Sequence, residues 1–447
     1  MNRRTFMAQA GAALTGATLG SVTPAGAQAA PDVKLEIAPL ELEIAPGKVV
    51  HTVAYNGRVP GPLIRWPEGK PIAIDVFNRT AIPEIVHWHG LWIPSAMDGA
   101  MEEGSPMIAP GTQFRYRFTP QPAGFRWYHT HTSAGRDLKR STYTGQFGCF
   151  HIESKDDAGG YDQEIFLTLH DWNGYMGGSG DSSMEAAYQY GTIDGRMLGF
   201  GDPLRVREGQ RVLLHLLNAS AGLVHWLALA GHELTVVGMD GNPVPAPGPV
   251  RAVRLGPAER VDAVVTMNQP GVWILGETRG QLRRTGMGIV VEYANQQGNP
   301  KWIEPPETLW DYRRFAATLR ATQEPDEVIP LRFESKFRGP GNFDSWTING
   351  KSYPHTDTIM LRKGNRYRLR LINRSTDDHP LHLHRHTFEV TSLDGTLLSG
   401  LYKDVVMVPA NSTAEVDFTA SNPGATLFHC HNQSHMDFGF MMLFRYA

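Results

Sequence analysis

Cysteine is nearly absent from this chain: its 447 residues hold two, Cys149 and Cys430. A disulfide-stapled scaffold is thereby excluded, and if Cys430 binds a metal no internal disulfide can form at all. Cys149, inside Gly148-Cys149-Phe150-His151-Ile152, reads as a small buried apolar side chain. Charge is sparse and balanced: 42 Lys plus Arg against 45 Asp plus Glu leave a formal net charge of -3. That balance offers no basic face to nucleic acid or anionic lipid. Downstream of the N-terminus no apolar run reaches the roughly 20 residues of a membrane-crossing helix. Turn residues are abundant instead, with 47 Gly and 31 Pro, and there are 18 His.

Those histidines are not scattered. Five His-x-His pairs occur, His87/His89, His129/His131, His382/His384, His384/His386 and His429/His431, where random placement gives roughly 0.7 from composition. The last pair encloses Cys430, and His435 follows four residues on. Successive side chains of an extended strand point to opposite faces, so Cys430 faces one way and His429 and His431 the other. One strand then serves two sites. A thiolate with two imidazoles and a weak or absent axial donor is the ligand set of a blue-copper electron-transfer centre, which His435 and an upstream His would complete. The flanking pair needs partners from elsewhere in the chain.

Length alone suggests about three domains, and an internal repeat agrees. Gly69 and Asn78, Gly209 and Asn218, and Gly364 and Asn373 each bracket an apolar or alternating run of the same spacing. Each copy continues to a Pro-Gly turn, Pro110-Gly111, Pro270-Gly271 or Pro423-Gly424, and then a further strand. Short strands with regular turn signals predict an all-β chain of sandwiches or barrels. The copies differ chemically. The first carries His87, His89, His129 and His131, the third His379, His382, His384 and the His-Cys-His strand, while at the corresponding positions the second has only His225 and, at its late strand, Val272-Trp273-Ile274. Ligands split between the first and third copies predict that these two meet, with the second as a spacer. At the N-terminus, Arg3-Arg4-Thr5-Phe6 before an Ala/Gly-rich stretch and an Ala-x-Ala site reads as a twin-arginine-type export signal over 1–30, hence a periplasmic or secreted protein.

The series His87-Trp88-His89-Gly90, Trp127-Tyr128-His129-Thr130-His131, His379-Pro380-Leu381-His382-Leu383-His384 and His429-Cys430-His431 with His435 resembles the three-domain multicopper oxidases, the laccase-like family, across essentially the whole mature chain. The resemblance implies three tandem cupredoxin-like Greek-key domains at 31–157, 158–298 and 331–447, with a linker at 299–330. It implies four copper ions. His379, Cys430 and His435 correspond to the blue-copper ligands, and His87 and His382 to those of the single copper that completes a trinuclear cluster. His89, His129, His131, His384, His429 and His431 correspond to the ligands of its coupled pair. Asp98, in Met97-Asp98-Gly99, matches a family acid near that cluster, a proton relay for dioxygen reduction unless it only forms an Asp-Gly turn. Asp437 is a weaker candidate for the same work.

Two departures stand out. Arg385 follows His384 where the family often has Gly, and reads as part of a solvent-facing turn, while His386 is left without a ligand role. Phe440 takes the axial position of the blue site, with Met441 as the alternative donor one residue on. The implied activity is one-electron oxidation of phenols or aromatic amines coupled to four-electron reduction of dioxygen to water. A cuprous oxidase would need a methionine-rich patch, for which Met176, Met184 and Met197 are the candidates. A copper-binding or structural protein without turnover is the alternative of another class; it has no need of Cys430 between two ligating histidines.

Overall fold

The computed structural model describes residues 30–155, 159–177, 184–306, 310–317 and 323–447. The proposed export signal over 1–30, Arg3 and Arg4 included, lies outside the described residues except for Ala30. Among the described residues no helix is long and apolar enough to cross a membrane.

The chain is all-β, as expected, and its strands make three successive pairs of sheets. In the first pair, Lys48–Tyr55, Val33–Ala45, Ile72–Asn78 and Gln113–Phe118 face Ile64–Pro67, Phe147–Glu153, Gly124–Thr130 and Val86–His89. The second pair has six strands against five, and so has the third. One pattern recurs in the second sheet of every pair: a short strand lies parallel to the last strand of its unit, Ile64–Pro67 on Phe147–Glu153, Leu204–Val206 on Gly288–Tyr293 and Ile359–Leu361 on Met441–Tyr446. Parallel pairing requires a long crossover, here the rest of the unit itself.

The repeated Asn has a structural use. Asn78 closes Ile72–Asn78, donates to the carbonyls of Ile82 and Ile108, and accepts from Thr80 N. Asn218 does the same with Leu223, Leu255 and Ser220, and Asn373 with Asp377, Val408 and Ser375. All three are fully buried. Each side chain ties the end of its strand to a turn and a distant loop, with bonds that contribute about 1 kcal/mol apiece and whose loss would orphan buried carbonyls. The repeat in the sequence is therefore a repeat of this tie.

Alternation places the rest. Along Val86–His89, Trp88 enters an apolar core with Tyr116, Phe118 and Phe150, which leaves His87 and His89 on the opposite face. Cys149 is buried and unpaired, packed with Trp127, Phe147 and Trp172.

Candidate metal centre

Two antiparallel strand pairs bring the histidines together. Val86–His89 pairs antiparallel with Gly124–Thr130 so that His87 lies opposite His129. His379–Leu383 pairs with Thr426–Cys430 so that His382 lies opposite His429 and Leu381 opposite Cys430. Directly opposed residues share a face, so each strand pair offers a histidine pair, and the two pairs meet. The His87 ring stacks on His384 at 4.0 Å and the His89 ring on His382 at 3.8 Å. His129 and His131 come within 5.1 and 5.2 Å of His431 and His429. All eight are buried.

On the far side of the same strand, Cys430 Sγ lies 3.7 Å from His379 Nδ1 and 3.6 Å from His435 Nδ1, and those two nitrogens are 3.2 Å apart. Three donors of this kind, close together, could hold a metal ion as a thiolate-imidazole set. His435, on the short helix Gln433–Asp437, is its half-buried member. Phe440 is fully buried, its ring 4.8 Å from that of His379. Met441 packs instead with Ala100, Leu427 and Met436, on the other face of the chain.

The arrangement of ring nitrogens tests whether a metal fits. His87 Nδ1 is 2.8 Å from the carbonyl of Asp98, His129 Nδ1 from that of Thr130, and His382 Nδ1 is 2.7 Å from that of Asp404. A carbonyl only accepts, so these rings carry hydrogen on Nδ1 and a lone pair on Nε2. The Nε2 atoms of His87, His129, His382 and His431 and Nδ1 of His89 are buried without a hydrogen-bond partner among the described residues. Orphaned buried polar atoms call for an explanation, and convergent lone pairs that suit a soft or borderline cation supply it. Burial first, then the neighbouring rings, pushes His89, His129, His384, His429 and His431 well below the usual histidine range, and burial brings His435 to about 3. The rings are therefore neutral donors. Burial raises the Cys430 thiol, so a thiolate here needs a bound cation.

Asp98 sits at the end of a single helical turn, Ser95–Asp98, fully buried. Its Oδ2 is 2.8 Å from His384 Nδ1 and 3.1 Å from His87 Nδ1, while Oδ1 has no hydrogen-bond partner among the described residues. Gly99 is required beside it: φ is +90°, and a Cβ would stand 1.8 Å from the Val86 carbonyl oxygen. Asp437 is apart from these rings; it accepts from Ala134 N, Gly135 N and Gln433 Nε2, and burial raises its carboxyl to about 6.

The solvent-facing reading of Arg385 is wrong. Its side chain is buried, and all five guanidinium hydrogens are used, on the carbonyls of Ile93, Ala425, Asn422 and Pro423 and the Thr426 hydroxyl, at 2.6 to 3.1 Å. The ligand turn is thereby bolted to the first unit. A charge in an alternating turn signals surface in a sequence, and only packing shows the acceptors. His386 bonds the His384 carbonyl and the Tyr446 hydroxyl, away from both donor sets. Sequence reasoning also missed Glu103, whose Oε1 accepts from Leu427 N and lies 3.4 Å from His384 Nδ1; burial first, and then Asp98, hold its carboxyl well above the ordinary range. In Met101-Glu102-Glu103-Gly104 it looks like one of two surface acids.

Three family models described as multicopper oxidase match residues 37–157, 164–295 and 329–447. The chain is 31% identical over 431 residues to a protein of Mycobacterium tuberculosis named Multicopper oxidase MmcO, covering 87% of this chain and 82% of that one. It is 27% identical to Laccase-1 of Fomitopsis schrenkii, covering 96% and 89%. A solved multi-copper oxidase from Pseudomonas thermotolerans superposes with a TM-score of 0.73 at 27% identity, over 94% of this chain and all of that one.

Proposed function

The chain belongs to the multicopper oxidase family, and from that premise we propose that it oxidises phenols or aromatic amines one electron at a time and reduces dioxygen to water. It is a copper-dependent oxidoreductase with dioxygen as acceptor. In the proposed assignment His379, Cys430 and His435 hold a blue copper, His87 and His382 a second, and His89, His129, His131, His384, His429 and His431 a coupled pair. Copper supplies the one-electron steps; the protein supplies separation, orientation and protons. The observation that carries the reading is Cys430, whose sulfur lies in one donor set while its covalent neighbours His429 and His431 lie in the other. Electrons entering at the half-buried His435 edge then have a short through-bond route to the cluster. The domain limits 31–157, 158–298 and 331–447 and export through a twin-arginine signal to the periplasm or the medium belong to the same proposal.

A second reading, oxidation of Cu(I), draws on charge. The Asp377 carboxyl, two residues before His379, is raised by burial and then by Glu185, Asp344 and Asp378, so acidic groups gather near the blue site. The methionines weigh against it: Met197 is buried in an apolar core with Ile44 and Trp172, and Met176 packs beside Tyr143 and Leu138. Oxygen uptake by copper-loaded protein decides between the two. Faster uptake with a phenol than with Cu(I) is the expected result; Cu(I) alone supporting turnover would overturn the aromatic reading.

Asp98 is placed to accept or release a proton at Oδ1 while Oδ2 holds the His384 ring. Asp98→Asn keeps the shape and removes the proton acceptor. Reoxidation of the reduced enzyme by dioxygen should slow by about 10²-fold, the low end for general acid-base groups, while reduction of the blue copper is unchanged. Stopped-flow traces with normal reoxidation would reduce Asp98 to a ring-orienting residue.

A further inference from the structure

Among the described residues the second unit supplies no donor to the groups above that could hold a metal, yet it reaches the cluster. Among the eight clustered rings His89 is held differently. Its Nε2 lies 3.1 Å from Asp404 Oδ1 and its Nδ1 is the orphan, whereas His87, His129, His382, His384 and His429 each bond through Nδ1. A carboxylate only accepts, so Nε2 of His89 carries the hydrogen and Nδ1 the lone pair.

Asp404 is itself clamped. Arg260 of the second unit donates from Nη1 to Oδ1 and from Nη2 to Oδ2, both at 2.6 Å, the forked geometry that only arginine offers. Arg126 of the first unit adds a contact at 3.4 Å. Asp240, also of the second unit, accepts from Asp404 N and Val405 N at 3.3 and 3.1 Å and lies 2.9 Å from Lys403 Nζ. The Asp404 backbone carbonyl meanwhile accepts from His382 Nδ1. All of these groups are buried. The Asp240-Gly241 turn enters so closely that a Cβ on Gly124 would meet the Gly241 carbonyl oxygen at 1.9 Å.

We propose that Asp404, locked by Arg260 and Asp240, is a positioning residue that makes His89 present Nδ1 to copper and His382 present Nε2, so that the ligand-free unit sets the donor geometry of the cluster. Asp404 is not itself a ligand, although its oxygen lies within 4.8 Å of donor atoms of His89 and His382. Both of its oxygens are occupied by guanidinium hydrogens, and Oδ1 by His89 as well. Removing an outer partner of a ligating histidine weakens metal retention about 10- to 100-fold.

The inference rests on the copper assignment above, and the test separates the two. Holoprotein and the variants Asp404→Asn and Arg260→Lys are titrated with a chelator while total copper, EPR-detectable copper and the blue absorption are followed. Asp417→Asn, a buried acid paired with Arg366 and Arg368, serves as the control for general destabilisation. Asp404→Asn should lose cluster copper at chelator concentrations about 10- to 100-fold lower, or gain EPR signal from an uncoupled pair, with the blue absorption intact and the control unaltered. Cluster retention and EPR equal to wild type would overturn the proposal. Where Asp404→Asn does not fold, Arg260→Lys, which keeps the charge and loses the fork, is judged by the same readings. A wild-type holoprotein without the blue absorption would instead sink the copper assignment itself.

Discussion

Cys430→Ser is expected to abolish the blue absorption and bring substrate-driven oxygen uptake to background, while the eight-histidine cluster keeps its copper. Cys430 is the cysteine whose sulfur contacts His379 and His435, and the other cysteine, Cys149, is buried among Trp127, Phe147 and Trp172. No second thiolate can substitute. Serine has nearly the same volume, so the strand Thr426–Cys430 and its register against His379–Leu383 should persist and keep His429 and His431 in place. Elemental analysis, the visible spectrum and oxygen uptake give three separate readings. Retention of the blue band would remove the assignment of this site, and loss of all copper would show that the two sites cannot fold independently.

Phe440→Met should lower the potential of the blue copper, and Met441→Leu should leave it nearly unchanged. The phenyl ring stands against the His379 and Trp346 rings, with centroids 4.8 and 5.8 Å away, in a fully buried position. It has no donor atom. An axial thioether stabilises Cu(II), and the hydrophobicity around the sulfur favours the reduced form, so a site without a thioether suits the high potential that the proposed aromatic reductants call for. For a one-electron couple every 59 mV of change is a factor of ten in equilibrium constant, so a modest drop suffices to slow oxidation of a phenol measurably. Redox titration of both variants checks this. The reverse pattern, with Met441→Leu altering the potential, would contradict the packing of Met441 against Leu427 and Met436.

How much of this was legible without coordinates depends on the distance over which each feature is encoded. The His87/His89 and His429/His431 pairs follow from a side-chain period of two, and so does the opposite orientation of Cys430. The Gly-to-Asn repeat is likewise local, and its meaning, a buried Asn tying strand to loop, survives in all three copies. Arg385 went the other way. A charged residue between two histidines carries no sign of burial, because its acceptors are backbone carbonyls that any sequence possesses. Glu103 was invisible for the same reason: its partners Leu427 N and His384 Nδ1 lie more than 270 residues away, and an acid pair beside a glycine reads as a solvated turn.

The sequence by itself determined the all-β class, the threefold repeat, the family and the residue types of the donors, since each is written in spacings of a few residues. Only the tertiary structure decided which nitrogen of each imidazole is free. At His89 and His382 the proposed choice belongs to Asp404, held by Arg260 and Asp240, groups with no mark of their own in the chain. The His89 and His384 rings are oriented by carboxylates from sequence-distant elements, Asp404 and Asp98, and those contacts exist only once the pairs of sheets have packed together.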